Sequence, residues 1–203
     1  MTEVARVAAV MLAAGMSRRM GGNNKLVAPV AGTPLVRIVA EAALASRARP
    51  VVVVTGHHAA DVTATLVGLP LDTVFNPNFA QGLSSSLRVG IDALPADAIG
   101  VVVLLGDMPN IDAAIINHLL AAFEATGGRA IIVPTHHGQR GNPVVWPRNV
   151  FSELRALTGD QGGRQLFAAH ADEIVTAEFG RAIGFDVDTP DDLRVAQSVT
   201  RPE

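Results

Sequence analysis

Hydrophobic positions fall along this chain in two alternating rhythms. Short runs rich in β-branched residues occupy Val7–Ala13, Pro50–Val54, Leu71–Phe75, Gly100–Leu105 and Ala130–Val133, and most carry no polar alternation. An apolar run of that length without a polar face predicts a strand covered on both sides. Between these runs lie Leu35–Ser46, Ala59–Val67, Leu83–Leu94 and Asp112–Ala125, where apolar residues recur at three- and four-residue spacing. That spacing is the stripe of an amphipathic helix. Strand–helix alternation on this scale predicts βαβ units, and so an α/β, three-layer fold with a mainly parallel, Rossmann-like sheet and helices on both faces.

After Val133 the rhythm changes. Pro134–Asn142 is rich in His, Gly and Arg, and Pro143–Trp146 reads as a short strand that begins with Pro. A proline has no N–H to give a ladder, which predicts an edge position. Helices follow near Arg148–Leu157 and Arg164–Ala171 with a glycine loop between, then short strands at Glu173–Ala177 and Gly184–Val187. Thr189-Pro190-Asp191-Asp192 sets a hydroxyl N-cap, a first-position proline and acids in the first turn, which starts a last helix. The polar tail Gln197–Glu203 reads as frayed. No repeat or linker divides residues 1–203, so one domain is expected, with the second half a lid or substrate-facing elaboration of one sheet.

Composition narrows the function class. Apolar residues make up 49% and charged residues 17%, enough for a core and too few charges for disorder. A net charge of −3 leaves no basic stripe for nucleic acid. No apolar run approaches the roughly 18 residues of a membrane span, and the first residues lack the pattern of a signal peptide. With no cysteine there is no disulfide, thiolate metal site or cysteine nucleophile. A soluble cytoplasmic protein with neither nucleic acid nor membrane as partner is expected.

Ligands of open parallel sheets sit outside the carboxyl ends of the strands, so polar residues just after strands are the candidates. After the first strand runs Leu12-Ala13-Ala14-Gly15-Met16-Ser17-Arg18-Arg19-Met20-Gly21-Gly22-Asn23-Asn24-Lys25. Small residues let the backbone approach a ligand. Exposed amides with Ser17, Arg18, Arg19 and Lys25 suit a triphosphate, although a solvated βα connection would have the same composition. The spacing is neither that of a P-loop nor Gly-x-Gly-x-x-Gly. Asp107, directly after the strand ending at Leu105, suits Mg²⁺, which takes one or two carboxylates plus phosphate oxygens. It could instead cap the next helix, although Asp112 is better placed for that. Alternation sends Asp186 and Asp188 to one face, and Asp188 could reach a metal held by Asp107 or serve the helix start beside it.

Three further stretches are weaker signals. Gln81-Gly82-Leu83-Ser84-Ser85-Ser86 offers hydroxyls at a helix start, for an anion, a ribose or capping. Gln139-Arg140-Gly141-Asn142-Pro143 and Gly159-Asp160-Gln161-Gly162-Gly163-Arg164 each place one Arg among glycines, a clamp for a phosphate or polar ring or merely a turn. The pairs His57-His58 and His136-His137 have no metal-ligand spacing, and Trp146 reads as core or lid.

Taken together, the loop from Leu12 to Lys25 resembles the signature of the nucleotidyltransferases that include sugar-phosphate pyrophosphorylases. With Gly82–Leu87, Leu105–Pro109, Arg140–Val144, Gly159–Arg164 and Asp186–Pro190 in the same order, the chain most resembles the molybdenum cofactor cytidylyltransferases, over roughly Val7 to Gln197. The resemblance implies the nucleotide-diphospho-sugar transferase type of sheet and a MobA-like transferase. It implies that Arg19 and Lys25 hold the triphosphate and stabilise pyrophosphate as it leaves, and that Asp107 and Asp188 bind Mg²⁺. Leu12, Ala13, Ala14 and Gly15, with Ser84 and Ser85, would receive base and ribose. Arg140, Asn142, Gly162, Gly163 and Arg164 would face the pterin. Leu-Ala-Ala-Gly, where guanylyl-transferring relatives read Leu-Ala-Gly-Gly, favours cytosine.

The implied partners are CTP, molybdopterin or molybdenum cofactor, and a recipient molybdoenzyme or its chaperone. Such domains also occur as half of longer proteins that handle molybdopterin. GTP- or sugar-phosphate-dependent transfer, an NAD(P)-dependent oxidoreductase on a doubly wound sheet, and a non-catalytic nucleotide sensor or chaperone are the alternatives.

Overall fold

The computed structural model describes residues 6–20 and 24–198. Gly21, Gly22, Asn23, the side chain of Arg18 and the tail beyond Ser198 lie outside the described residues. The strands are β1 (Val7–Ala13), β2 (Pro29–Val30), β3 (Thr33–Pro34), β4 (Val51–Thr55), β5 (Asp72–Phe75), β6 (Gly100–Leu105), β7 (Ile131–His136), β8 (Gln139–Arg140), β9 (Val144–Pro147) and β10 (Ile174–Glu178). The helices are α1 (Leu35–Ala45), α2 (Ala59–Thr65), α3 (Leu83–Asp92), α4 (Ala113–Ala125), α5 (Phe151–Ala156) and α6 (Pro190–Ser198).

The main sheet runs β10-β7-β9-β6-β1-β4-β5, with β8 paired on β7, while β2 and β3 form a separate hairpin. β1 pairs in parallel with β4 and β6, which brings Leu12 beside Leu105 and Ala13 beside Thr55. Three strands therefore end level with one another, and the loops that leave them share one rim.

The near-continuous apolar strands are explained by their two covered faces. Alternate residues Ala9, Met11, Val53 and Leu104 pack with Val39 of α1 and Leu120 and Phe123 of α4. Their neighbours Val10, Val52, Val54 and Val103 pack with Leu87 and Ile91 of α3 and Leu154 of α5. Fully burying one such side chain contributes about 1.5–3 kcal/mol, so the pattern fixes the register as well as the layers. The edge strand β5 departs from this, with Phe75 exposed. Among the described residues no helix is long and apolar enough to cross a membrane.

The second half differs from the expectation in four places. The predicted edge strand at Pro143–Trp146 is the interior strand β9, antiparallel to both β6 and β7. Pro143 lies before its first paired residue, so the missing N–H removes no ladder bond, and all of Val144–Pro147 is buried. Gly184–Val187 is not a strand. A 3-10 turn at Arg181–Gly184, in which Ile183 accepts from Asn142 N–H at 2.9 Å, precedes an extended segment in which Val187 donates to the Asp107 carbonyl at 3.0 Å. The predicted helix at Arg164–Ala171 is a 3-10 turn over Gly162–Leu166 followed by turns. Part of the loop Pro134–Asn142 pairs as the short strand β8.

Candidate active site

Two capping questions decide which carboxylates are free. Asp112 caps α4 by accepting Ile115 N–H at 2.8 Å, which leaves Asp107 without a capping duty. At the start of α6, Asp192 accepts the N–H of Thr189 at 2.8 Å while the Thr189 hydroxyl accepts Asp192 N–H at 3.2 Å. This reciprocal box satisfies the helix end without Asp188. Both aspartates therefore turn toward the loop after β1.

There they meet Lys25. Its ammonium lies 2.7 Å from Asp107 Oδ2 and 2.7 Å from Asp188 Oδ1, and Arg19 lies 2.7 Å from Asp188 Oδ2. Lys25 is 9% exposed, and its own loop holds it: its N–H donates to the Ser17 hydroxyl at 3.2 Å, and the Asn24 side chain caps Leu26. Burial works against the ammonium, but the two carboxylates outweigh it and raise the Lys25 pKa above its ordinary value. The hydrogen bond from Lys25 holds Asp188 below the usual carboxylate range against the pull of burial. Burial, then the charges of Asp107 and Asp188, push Asp186 upward.

Carboxylate oxygens of Asp107, Asp186 and Asp188 all lie within 4.8 Å of one another. Asp107 Oδ1 is buried with no hydrogen-bond partner. A buried, unpaired carboxylate oxygen is costly unless something cationic meets it. Hard oxygen donors crowded beside a phosphate-binding loop suit a small divalent ion, so these residues fit Mg²⁺. Asp186 was legible only as half of an Asp-x-Asp alternation; the extended segment between Ile183 and Asp188 brings it into the cluster.

This cluster stands at the wall of a cavity of about 640 Å³ lined by Leu12, Ala14, Gly15, Arg19, Ser86 and Phe79 among others. A Cβ built on Gly15 would meet nothing within 4 Å, so the loop is open to a ligand there. Ala13 is buried beneath the loop. Of Ser84, Ser85 and Ser86, the last lines the cavity, as does Ser17. Ser85 turns back, 2.8 Å from the Gly82 carbonyl and 2.9 Å from Asn76 Nδ2, and Ser84 is fully buried.

A second cavity of about 530 Å³ adjoins the first, and Leu12, Leu83, Leu105, Asp160 and Arg164 line both. Asn142, Gly162 and Gly163 line it as well. Its apolar wall is Trp146 stacked on Phe167, with centroids 5.6 Å apart and planes 12° from parallel. Arg140 stands behind this wall, its guanidinium 5.0 Å from the Phe167 centroid. Trp146 and Phe167 thus join the candidate residues. They lie on separate segments, and nothing in the local sequence of either marks the pairing.

A cation-bearing loop at the end of the first parallel strand, facing aspartates delivered from two other segments, is an arrangement that can hold a polyphosphate beside a divalent ion. The chain belongs to the family described as the MobA-like NTP transferase domain, whose model matches residues 9–174. Among relatives, it is 37% identical over 131 residues to the bifunctional protein GlmU of Leifsonia xyli, covering 63% of this chain and 27% of that protein. The chain thus spans only about a quarter to a third of the GlmU relatives it matches, 30% for a second, from Sorangium cellulosum. The purine catabolism protein PucB of Bacillus subtilis is 30% identical, with 90% of this chain and 92% of PucB covered. Nicotine blue oxidoreductase of Paenarthrobacter nicotinovorans is 26% identical, with 95% and 97% covered. The crystal structure of Rv0371c from Mycobacterium tuberculosis superposes with a TM-score of 0.85 at 27% identity, covering 97% of this chain and 99% of that one. A further Rv0371c structure, a complex with manganese, gives 0.80 at 25% identity, covering 96% and 100%.

Proposed function

We propose that this domain transfers a cytidylyl group from CTP to the terminal phosphate of molybdopterin or molybdenum cofactor, releasing pyrophosphate. The observation that carries the reading is the pair of adjoining cavities, one charged and one aromatic, meeting at Asp160 and Arg164. Two anionic substrates, one of them ending in a flat ring system, need this kind of paired compartment.

In the reaction, a phosphate-monoester oxygen forms a new bond to the α-phosphorus of CTP, and the bond from that phosphorus to the β-phosphate oxygen breaks. Pyrophosphate leaves with the electron pair. The attacking phosphate is already anionic, so no general base is required; the protein orients and neutralises two mutually repelling anions. Lys25 and Arg19 neutralise the triphosphate and the departing pyrophosphate, Arg19 from an exposed position that lets it follow the charge. The loop Leu12–Gly15 receives the base and Ser86 the ribose side, while Asn142, Gly163 and Arg164 hold the pterin side. Mg²⁺ held by Asp107 and Asp188, with Asp186 beside them, would supply charge neutralisation at the α-phosphate. Ala14 in the Leu-Ala-Ala-Gly run supports cytosine as the base. A cytoplasmic setting and delivery to a molybdoenzyme or its chaperone complete the reading.

The test is pyrophosphate release with Mg²⁺ and isolated molybdenum cofactor, comparing CTP, GTP and UTP. Release with CTP that depends on the cofactor is expected. Release with another nucleotide keeps the chemistry and moves the base choice. No release, beside a control transferase that succeeds with the same cofactor, overturns the pterin assignment. One observation favours a second reading, oxidoreduction: the relative named for that activity, which the match covers almost end to end. Consumption of NAD(P)H in the same preparation would support it, although the turn after β1 lacks Gly-x-Gly-x-x-Gly.

A further inference from the structure

The ends of β7 and β10 lie side by side, because the two strands pair in parallel with Thr135 opposite Glu178. β7 closes with His136, the next residue is His137, and β10 closes with Glu178. One ligand atom from each of His136, His137 and Glu178 lies within 4.8 Å of the others, on a half-buried to exposed surface apart from the site described above. We propose that this trio binds one borderline divalent cation of the Zn²⁺ class. The proposal is independent of the cytidylyl-transfer reading.

Each member is already oriented. His136 Nδ1 lies 2.8 Å from the Phe179 carbonyl oxygen, which can only accept, and 3.9 Å from Glu178 Oε1, so Nδ1 is the donor there and Nε2 is the ring nitrogen left to a metal. A backbone carbonyl that fixes the tautomer of a histidine is the usual outer support of a metal-binding imidazole. Glu178 accepts the Thr135 hydroxyl at 2.7 Å on one oxygen and His137 N–H at 2.7 Å on the other. His137 has a left-handed backbone, φ 49°, which folds its ring back over that of His136 with centroids 4.2 Å apart. Two imidazoles and one carboxylate select zinc-like ions over Mg²⁺, which prefers oxygen donors alone. Zinc bonds of about 2.0–2.1 Å require the donors to close by roughly an ångström. Rotation of exposed side chains provides that, and leaves further positions to water.

The experiment is a Co²⁺ titration of the full chain followed by visible absorption. Cobalt with imidazole ligands in a four- or five-coordinate sphere absorbs far more strongly than six-coordinate cobalt among the oxygens of Asp107 and Asp188. One equivalent of strongly absorbing Co²⁺ is expected, displaced by Zn²⁺ and not by Mg²⁺. His137→Asn keeps a residue that tolerates the left-handed backbone and should weaken binding at least tenfold; Glu178→Gln should weaken it about tenfold. Asp107→Asn should leave the band unchanged. A wild-type chain with no such band up to millimolar Co²⁺, or a His137→Asn chain that titrates like wild type, overturns the proposal.

Discussion

The two adjoining cavities are built in opposite ways. The first is made by residues that follow parallel strands: Gly15 and Lys25 after β1, and Asp107 after β6, with Asp188 brought in by the segment that bonds to Asp107 through Val187. Its walls hold charges, and those charges are fixed by one another through Lys25. The second is made largely by an antiparallel strand inserted into the sheet and a 3-10 turn, and its wall is a stacked aromatic pair. A cavity held by charge should lose function and keep its fold when altered. A cavity held by packing should lose some of both.

Asp107→Asn is the sharpest break on the charged side. It keeps the volume and the contact with Lys25 but removes the charge. If Asp107 bears on the transition state as proposed, turnover should fall on the order of 10²–10³-fold, the range for losing one electrostatic stabiliser. Thermal midpoint and circular dichroism should stay close to wild type. Turnover within threefold of wild type would separate Asp107 from the chemistry.

Gly163→Ala is the matching break on the aromatic side. A Cβ at Gly163 would stand 2.5 Å from Cζ2 of Trp146, a contact that a buried ring cannot yield without moving. Overpacking of this kind costs about 1–3 kcal/mol, and the displaced indole would narrow the cavity. The expected result is a lower thermal midpoint together with a rise of about tenfold in KM for the second substrate, while KM for the nucleotide stays within twofold. Equal rises in both KM values would mean that the cavities are not separately responsible for the two substrates.

The same contrast explains how far the sequence could be read. The first cavity follows from position: a carboxylate after an apolar strand, a second beside a helix that already owns a threonine cap, and cations in a glycine-bearing loop are all local signals. Even there Asp186 was legible only as the same-face neighbour of Asp188, since a predicted strand at Gly184–Val187 hid the extended segment that brings it into the cluster. The second cavity depends on long-range pairing. Pro143 pointed to an edge because a proline weakens a ladder, yet it lies outside the ladder, and β9 enters between β6 and β7. Trp146 read as core or lid; it is buried, at 2% exposure, and its stack with Phe167 also walls a cavity, which no local signal marks. The apolar strands were legible throughout, for their two buried faces leave no polar alternation to confuse with a helix stripe.

The smallest expected effect tests whether the second cavity's wall can be loosened without touching any residue that lines it. His170, at the end of the turns that follow Phe167, lies 2.9 Å from Glu153 of α5 and 3.4 Å from Glu173. The Glu153 hydrogen bond raises its pKa above the ordinary histidine value, against a smaller pull from burial. A raised pKa in the folded chain means that the protonated ring favours folding. That contribution is complete below about pH 6.5, the unfolded value, and fades as pH climbs through the higher folded value. An ion pair of this kind contributes about 0.2–1 kcal/mol, so the change is modest. Between pH 6 and pH 8, the protection of amides of residues 164–173, taken relative to the base-catalysed intrinsic rate at each pH, should fall, with little change in protection in the loop after β1. His170→Gln should show the lower protection at both pH values. If the wild type and His170→Gln show the same pH dependence in that segment, the pairing with Glu153 does not hold the wall. The aromatic cavity would then owe its shape to the Trp146–Phe167 stack and the packing of α5 alone.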